Sequence, residues 1–263
     1  MKKEYQADPV VYNESTEYGA NQVSPHEVLG KNPYEREELQ KVVKAHFPIM
    51  EDEDVKAFLY RLDREGCGYV SMINSLFDEY AEKPDTFREI FGFSMYDIDG
   101  TLNFNRVLVD LYCQMDNHNE DRFGFFSWDT YNPIEDQKKL DEDKDGVFEW
   151  TSKPCGNNQD KMKYRWETYC KRYGIKADVQ IEVPVTPKNF LKYARKGSVS
   201  ILSSDFTMYS EDSKATHVKN GHFMTITDVT EDGKYVVSSW GEKYYLNPKD
   251  IKGFVHYQLI RYK

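Results

Sequence analysis

The spacing of apolar residues changes once along this chain, and no other feature limits its fold as tightly. Between about residue 31 and Gly174, outside an irregular stretch at about 115–160, the apolar positions recur with a helical period. The stretches NPYEREELQKVVKAHF and EDEDVKAFLYRL open this half, the second with acidic residues that suit the positive end of a helix dipole. The run from Tyr69 to Tyr80 places Val70, Ile73, Asn74 and Phe77 at helical spacing, and NFNRVLVDLYCQMDN predicts a helix from about Asn103 to Asn117. KMKYRWETYCKRYG predicts another, stopped at Gly174. After residue 175 the period shortens. ADVQIEVP alternates, and SVSILSS, GHFMTITDVT, KYVVSSWGEKYYL and GFVHYQLIRYK are rich in β-branched and aromatic residues. TPKNFLKYARKG interrupts them as a short helix, with Thr186 as N-cap and Pro187 in the first turn. EDGK carries an Asp-Gly hairpin signal. Helices first and antiparallel strands second predict an α+β fold.

The 263 residues give room for a core that needs no disulfide support. Residues 1–30 read as a polar arm, and 31–263 as one domain with an irregular acidic insertion at about 115–160. A net charge of −10 offers no surplus to neutralise phosphates, so no nucleic-acid partner is expected. Cys67, Cys113, Cys155 and Cys170 form no CxxC pair and no disulfide framework, which leaves them as thiols. No apolar stretch approaches the length of a membrane span, and the chain reads as soluble. Its first residues show no signal-peptide pattern. Cytoplasmic, exported without a cleaved leader, or a module of a larger exported protein are the open alternatives.

The segment DREGCGYVSMINSLFDEY (63–80) sets a cysteine between two glycines, directly before the amphipathic run. A helix N-terminus supplies partial positive charge and N–H groups that favour a thiolate. Gly66 and Gly68 allow a sharp turn and the close approach of a substrate. The backbone N–H of Cys67 can then face a developing oxyanion. A buried cysteine that serves packing alone fits this stretch equally well.

A nucleophilic cysteine needs a base, and Gly221-His222 opens a predicted strand downstream. Met224 and Ile226 share the face of His222, while Phe223, Thr225 and Thr227 take the other. The return strand ends in Ser238-Ser239-Trp240-Gly241. Cys-Gly at a helix start, then a distant Gly-His before a hairpin that closes on Ser-Trp-Gly, resembles the papain-like cysteine peptidases, and within them the bacterial C39-like branch. The order of Cys and His agrees, as does the His-to-Trp interval, 240 − 222 = 18. TPKNFLKYARKG followed by SVSILSS is similar to that family's approach to the histidine strand.

The resemblance implies a papain-like fold with Cys67 as nucleophile, His222 as general base and acid, and Trp240 shielding the imidazole from water. It puts the orienting group at Ser238, where the family carries asparagine. A two-residue turn at Asp232-Gly233 opposes Ser238 to Thr227, so a bulge or strong twist must bring it to His222. The family's second oxyanion donor, a glutamine six residues before the cysteine, is replaced by Arg61, with Gln22 as a remote alternative.

Two other motifs compete. YDIDGTLNF (96–104) resembles the Asp-x-Asp-Gly-Thr signature of haloacid-dehalogenase-type phosphatases, which uses Mg²⁺ with an aspartate nucleophile (Asp97) and an aspartate acid/base (Asp99). It lies mid-chain behind EIFGFSM, not behind a buried apolar strand, and also reads as a polar turn. DEDKDGVFEW (141–150) resembles the front of a calcium loop, with Asp141, Asp143 and Asp145 at positions 1, 3 and 5 and Gly146 at 6. Position 12 is Ser152 where a bidentate glutamate belongs, so any calcium would be weakly held. His217 reads as a loop residue on the substrate side, Cys113 as core, Cys155 as exposed, and Trp128, Trp150 and Trp166 as packing.

These readings converge on a cysteine peptidase or amidase with a peptide or protein substrate and no required cofactor. A helical lobe would carry Cys67 and a sheet lobe His222. A catalytically silent papain-like binding module is the alternative that serine at 238 favours. The Mg²⁺-dependent phosphatase is the third.

Overall fold

The computed structural model describes residues 19–25, 27, 33–48, 50–60, 62–96, 100–114 and 158–263. In chain order its α-helices are α1 (Pro33–His46), α2 (Asp52–Tyr60), α3 (Leu62–Glu65), α4 (Cys67–Tyr80), α5 (Pro84–Phe91), α6 (Phe104–Tyr112), α7 (Gln159–Arg172) and α8 (Phe190–Ala194). Its strands are β1 (Ala177–Gln180), β2 (Ser198–Ser203), β3 (Phe206–Ser210), β4 (Ala215–Val218), β5 (His222–Val229), β6 (Tyr235–Ser239), β7 (Glu242–Leu246) and β8 (Val255–Tyr262). Helices precede an antiparallel sheet, so the chain is α+β.

The chain divides into two compact units, one made of the described residues up to Asn21 with Cys67–Phe104 and Asn158–Lys263, the other of Gln22–Gly66 and Asn105–Asn157. The second unit is helical. Leu39 and Val43 of α1, and Phe47 directly after it, are buried together with Phe58, Leu59, Leu108 and Tyr112. The rings of Phe58 and Tyr112 lie 4.8 Å apart. Around this core, α1 and α6 are joined by His46 with Asp110 at 2.8 Å and by Asn105 donating to Glu35 at 2.7 Å.

The first unit holds one eight-stranded antiparallel sheet in the order β1-β8-β2-β5-β6-β7-β3-β4. One face of its central strands is apolar. Val199, Ile201, Met224, Ile226, Val237 and Leu259 are buried there with Phe190 and Ala194 of α8. The opposite face of β5 packs against α4, while α7 packs against β1. That face is polar by comparison: Asn74 of α4 donates to Thr225 of β5 at 3.3 Å, and Ser200 donates to the carbonyl of Met224. The remaining drive for docking α4 is apolar, since Met72, Ile73, Leu76 and Phe77 are fully buried. Each such side chain stabilises the fold by about 1.5–3 kcal/mol.

Several boundaries differ from the sequence expectation. The helix expected from Thr186 starts later, at Phe190, because Asn189 Oδ1 accepts from the Thr186 N–H and makes 186–189 a turn. Asp232-Gly233 lies inside a five-residue loop, closed by Thr230 N–H to the carbonyl of Lys234 at 2.9 Å, and is not a two-residue hairpin. Helix α6 ends at Tyr112, short of Asn117. Asn158 N-caps α7 by accepting from the Lys161 N–H at 2.8 Å, so the expected insertion stops before residue 160. His217 is a strand residue of β4, paired across to Thr207, and not a loop residue.

Candidate active site

Cys67 is the first residue of α4, half-buried and outside any disulfide. The glycine after it is required by close packing. A Cβ on Gly68 would stand 2.9 Å from Met162 Cγ and Sδ and 3.3 Å from Phe223 Cδ2. Phe223 directly follows His222, the first residue of β5. Nearly two turns further along, Asn74 meets Thr225. From 68 to 74 the helix advances about 9 Å, and from 223 to 225 the strand advances about 7 Å. Helix and strand therefore run side by side in the same direction, with Cys67 and His222 both at their starting ends.

The imidazole of His222 is held from the return strand. Its Nε2 lies 2.7 Å from the hydroxyl of Ser239. Ser238, expected in that role, is instead the cross-strand partner of Thr225. The loop length and a bulge between Ile226 and Asp228 together set this register. Before the bulge the pairs are Asp228 with Val236 and Val229 with Tyr235; after it they are Ile226 with Val237 and Thr225 with Ser238. That register decides which serine shares a face with His222.

Trp240 covers the other side of the ring, stacked at 4.6 Å and 28° on His222 and braced edge-on by Tyr244 at 6.0 Å. It reaches this place through its backbone. Trp240 and Gly241 have φ of 51° and 75° between the paired residues Ser239 and Glu242. Positive φ at both central residues is the two-residue hairpin turn that matches strand twist, and it normally calls for Asn, Asp or Gly. A tryptophan there carries left-handed strain of roughly 1–2 kcal/mol.

His222 is 6% exposed. Burial pushes its pKa down to about 4, so the ring is a neutral base at neutral pH. The other two described cysteines are fully buried, and burial pushes the Cys170 thiol far above the usual range. Neither sits where a substrate has access.

Cys67 starts α4, His222 starts the neighbouring β5, and Trp240 stacks on His222. Gln22 packs in the second unit against the position of Gly66, whose Cβ would meet Gln22 Cβ at 2.7 Å, and its Nε2 donates to the carbonyl of Asp63. Cys113 and Trp166 are core residues. Exposed His217 accompanies Asp205 at 3.6 Å. Arg61, Asp97, Asp99, Trp128, Asp141, Asp143, Asp145, Trp150 and Cys155 lie outside the described residues. On either side of the Asp97–Asp99 segment, Tyr96 bridges to Leu102 and Gly100 has a φ of 84°, the mark of a turn. Among the described residues no cluster of His, Cys, Asp or Glu is arranged to hold a metal, and no helix is long and apolar enough to cross a membrane.

Ser239 is the residue that sequence reading passed over. The Ser-Ser-Trp-Gly run contains it, but the register of β6 on β5, set by the loop length and the bulge together, decides between the two serines. No protein-family model matches the chain, and no curated protein matches it.

Proposed function

We propose that the chain is a papain-like cysteine peptidase or amidase of the C39-like kind, with Cys67 as nucleophile and His222 as general base and acid. The observation that carries this reading is the shared end of α4 and β5: Gly68, next to Cys67, lies against Phe223, next to His222. The hydroxyl on Nε2 and the indole over the ring add the two supports a catalytic imidazole needs.

The chemistry follows from those parts. Neutral His222 takes the thiol proton, and the Cys67 sulfur attacks the carbonyl carbon. The Cys67 backbone N–H at the helix start faces the oxyanion. The C–N bond breaks as His222 returns the proton to the leaving amine, leaving a thioester. Water, deprotonated by His222, then attacks the thioester; the acid departs and the thiol is restored. No step calls for a cofactor. The substrate is a peptide or a side-chain amide.

A second reading is supported by one observation. A serine hydroxyl both donates and accepts, so Ser239 does not lock the ring into one tautomer as a carbonyl oxygen would. A silent binding module of the same fold is compatible with that looser hold. Mass spectrometry of a mixed peptide pool separates the two. The peptidase cleaves it and Cys67→Ala abolishes cleavage, whereas cleavage that survives Cys67→Ala rejects the cysteine mechanism.

A further inference from the structure

One buried hydroxyl beside the imidazole has no part in the scheme above. Ser203, the last residue of β2, is the direct cross-strand partner of His222. Directly opposed residues of an antiparallel pair project to the same face with Cβ atoms about 4.5–5.5 Å apart. Ser203 is fully buried, and its Oγ has no hydrogen-bond partner among the described residues. From β6, on the other side of β5, Ser239 holds Nε2 of the ring. The ring thus lies between two strands that each bring a hydroxyl to its face.

An orphaned buried hydroxyl costs about 1–3 kcal/mol, and such a group calls for an explanation. The one group opposite it that changes charge is His222. We propose that Ser203 is a positioning residue for His222: its unheld hydroxyl turns its oxygen toward the ring when the ring becomes imidazolium and stabilises the charge. This rests on the reading of His222 as the general base. A hydroxyl with no partner rotates without breaking a bond, so the response costs little at the moment of proton transfer. Polarised ring C–H groups are weak donors to such an oxygen.

Few other groups bear on this titration. Strand β2 carries no titratable side chain. Strand β6 has only Tyr235 at its far end, and β7 presents Tyr244, which donates to Glu242 at 2.8 Å. His256 of β8 lies opposite Leu202, on the other face from Ser203. Helix α4 brings Cys67 at the end where Gly68 meets Phe223. Burial alone accounts for the lowered proton affinity of the ring, which leaves room for a hydroxyl to raise it.

The test is Ser203→Ala, read by NMR titration of the His222 ring protons and by thermal melting. The proposal expects the titration midpoint to fall by half a unit or more, a threefold loss of proton affinity, with the melting temperature unchanged or higher. An unchanged midpoint overturns it, whatever the melting temperature does. Slow alkylation of wild-type Cys67 would reject the peptidase reading instead, and the His222 midpoint would still decide the role of Ser203.

Discussion

The hydroxyl of Ser239, and not that of Ser238, stands 2.7 Å from Nε2 of His222. The register of β6 on β5, set by the loop length and the bulge together, decides this. Ser239→Ala is therefore expected to lower kcat by roughly tenfold to a hundredfold, about 1.4–2.7 kcal/mol in the barrier. Ser238→Ala is expected to change it less than threefold. Steady-state kinetics on a cleaved peptide checks both, and the reverse ranking would reject the assignment.

The glycine after the nucleophile is expected to be as sensitive as the supports of the histidine. Gly68→Ala adds a Cβ 2.9 Å from Met162 and 3.3 Å from Phe223. Met162 is fully buried and has little space to retreat. Overpacking of this kind costs about 1–3 kcal/mol. Because the contact lies between the first turn of α4 and the start of β5, Cys67 alkylation should slow well below the melting temperature. An alkylation rate equal to wild type would show that this contact does not set the site.

A buried histidine and a half-buried aspartate make stability depend on pH in opposite directions. His222 has a folded pKa of about 4 against 6.5 unfolded. Between those values the unfolded chain binds the extra proton, so this group's contribution rises with pH from about 4 to 6.5, by on the order of 3 kcal/mol. Asp63, in the second unit, is pushed up to about 7 by burial and then by the charge of Glu27. The folded chain holds its proton longer, so that contribution is present at low pH and is lost as pH rises toward and through 7. Urea unfolding from pH 4.5 to 7.5 should show a weak net dependence in wild type. His222→Gln should leave stability falling with pH, and Asp63→Asn should leave it rising. Parallel curves for all three proteins would contradict both shifts.

The helix start at Cys67 and the strand start at His222 were legible because each has a strong local marker. Gly-Cys-Gly stands before an amphipathic run, and Gly-His stands before an alternating one. The serine partner was not legible. No glycine or proline marks the bulge at Thr227, and it was the resemblance that pointed to Ser238, since a two-residue turn at Asp232-Gly233 already sets Ser238 on the face away from His222. KYVVSSWGEKYYL likewise hid a turn, because tryptophan is a poor residue for the left-handed backbone that Trp240 adopts. Short β4 escaped notice as well. Its burial alternates, but ATHV is only four residues long and lies among loop-forming neighbours.

The pairing of Cys67 with His222 is the central claim, and the rate of Cys67 alkylation by iodoacetamide at pH 6 tests it most directly. An ordinary thiol with a pKa near 8.5 is almost wholly protonated there, whereas a neutral imidazole beside the thiol takes its proton as the sulfur attacks and speeds the reaction. Modification is read by mass spectrometry on the Cys67 peptide, with the buried Cys113 and Cys170 as internal controls. The account predicts that Cys67 reacts at least tenfold faster than a small-molecule thiol, and that His222→Ala returns it to the ordinary rate. A wild-type Cys67 no faster than that thiol, or one untouched by His222→Ala, would contradict it.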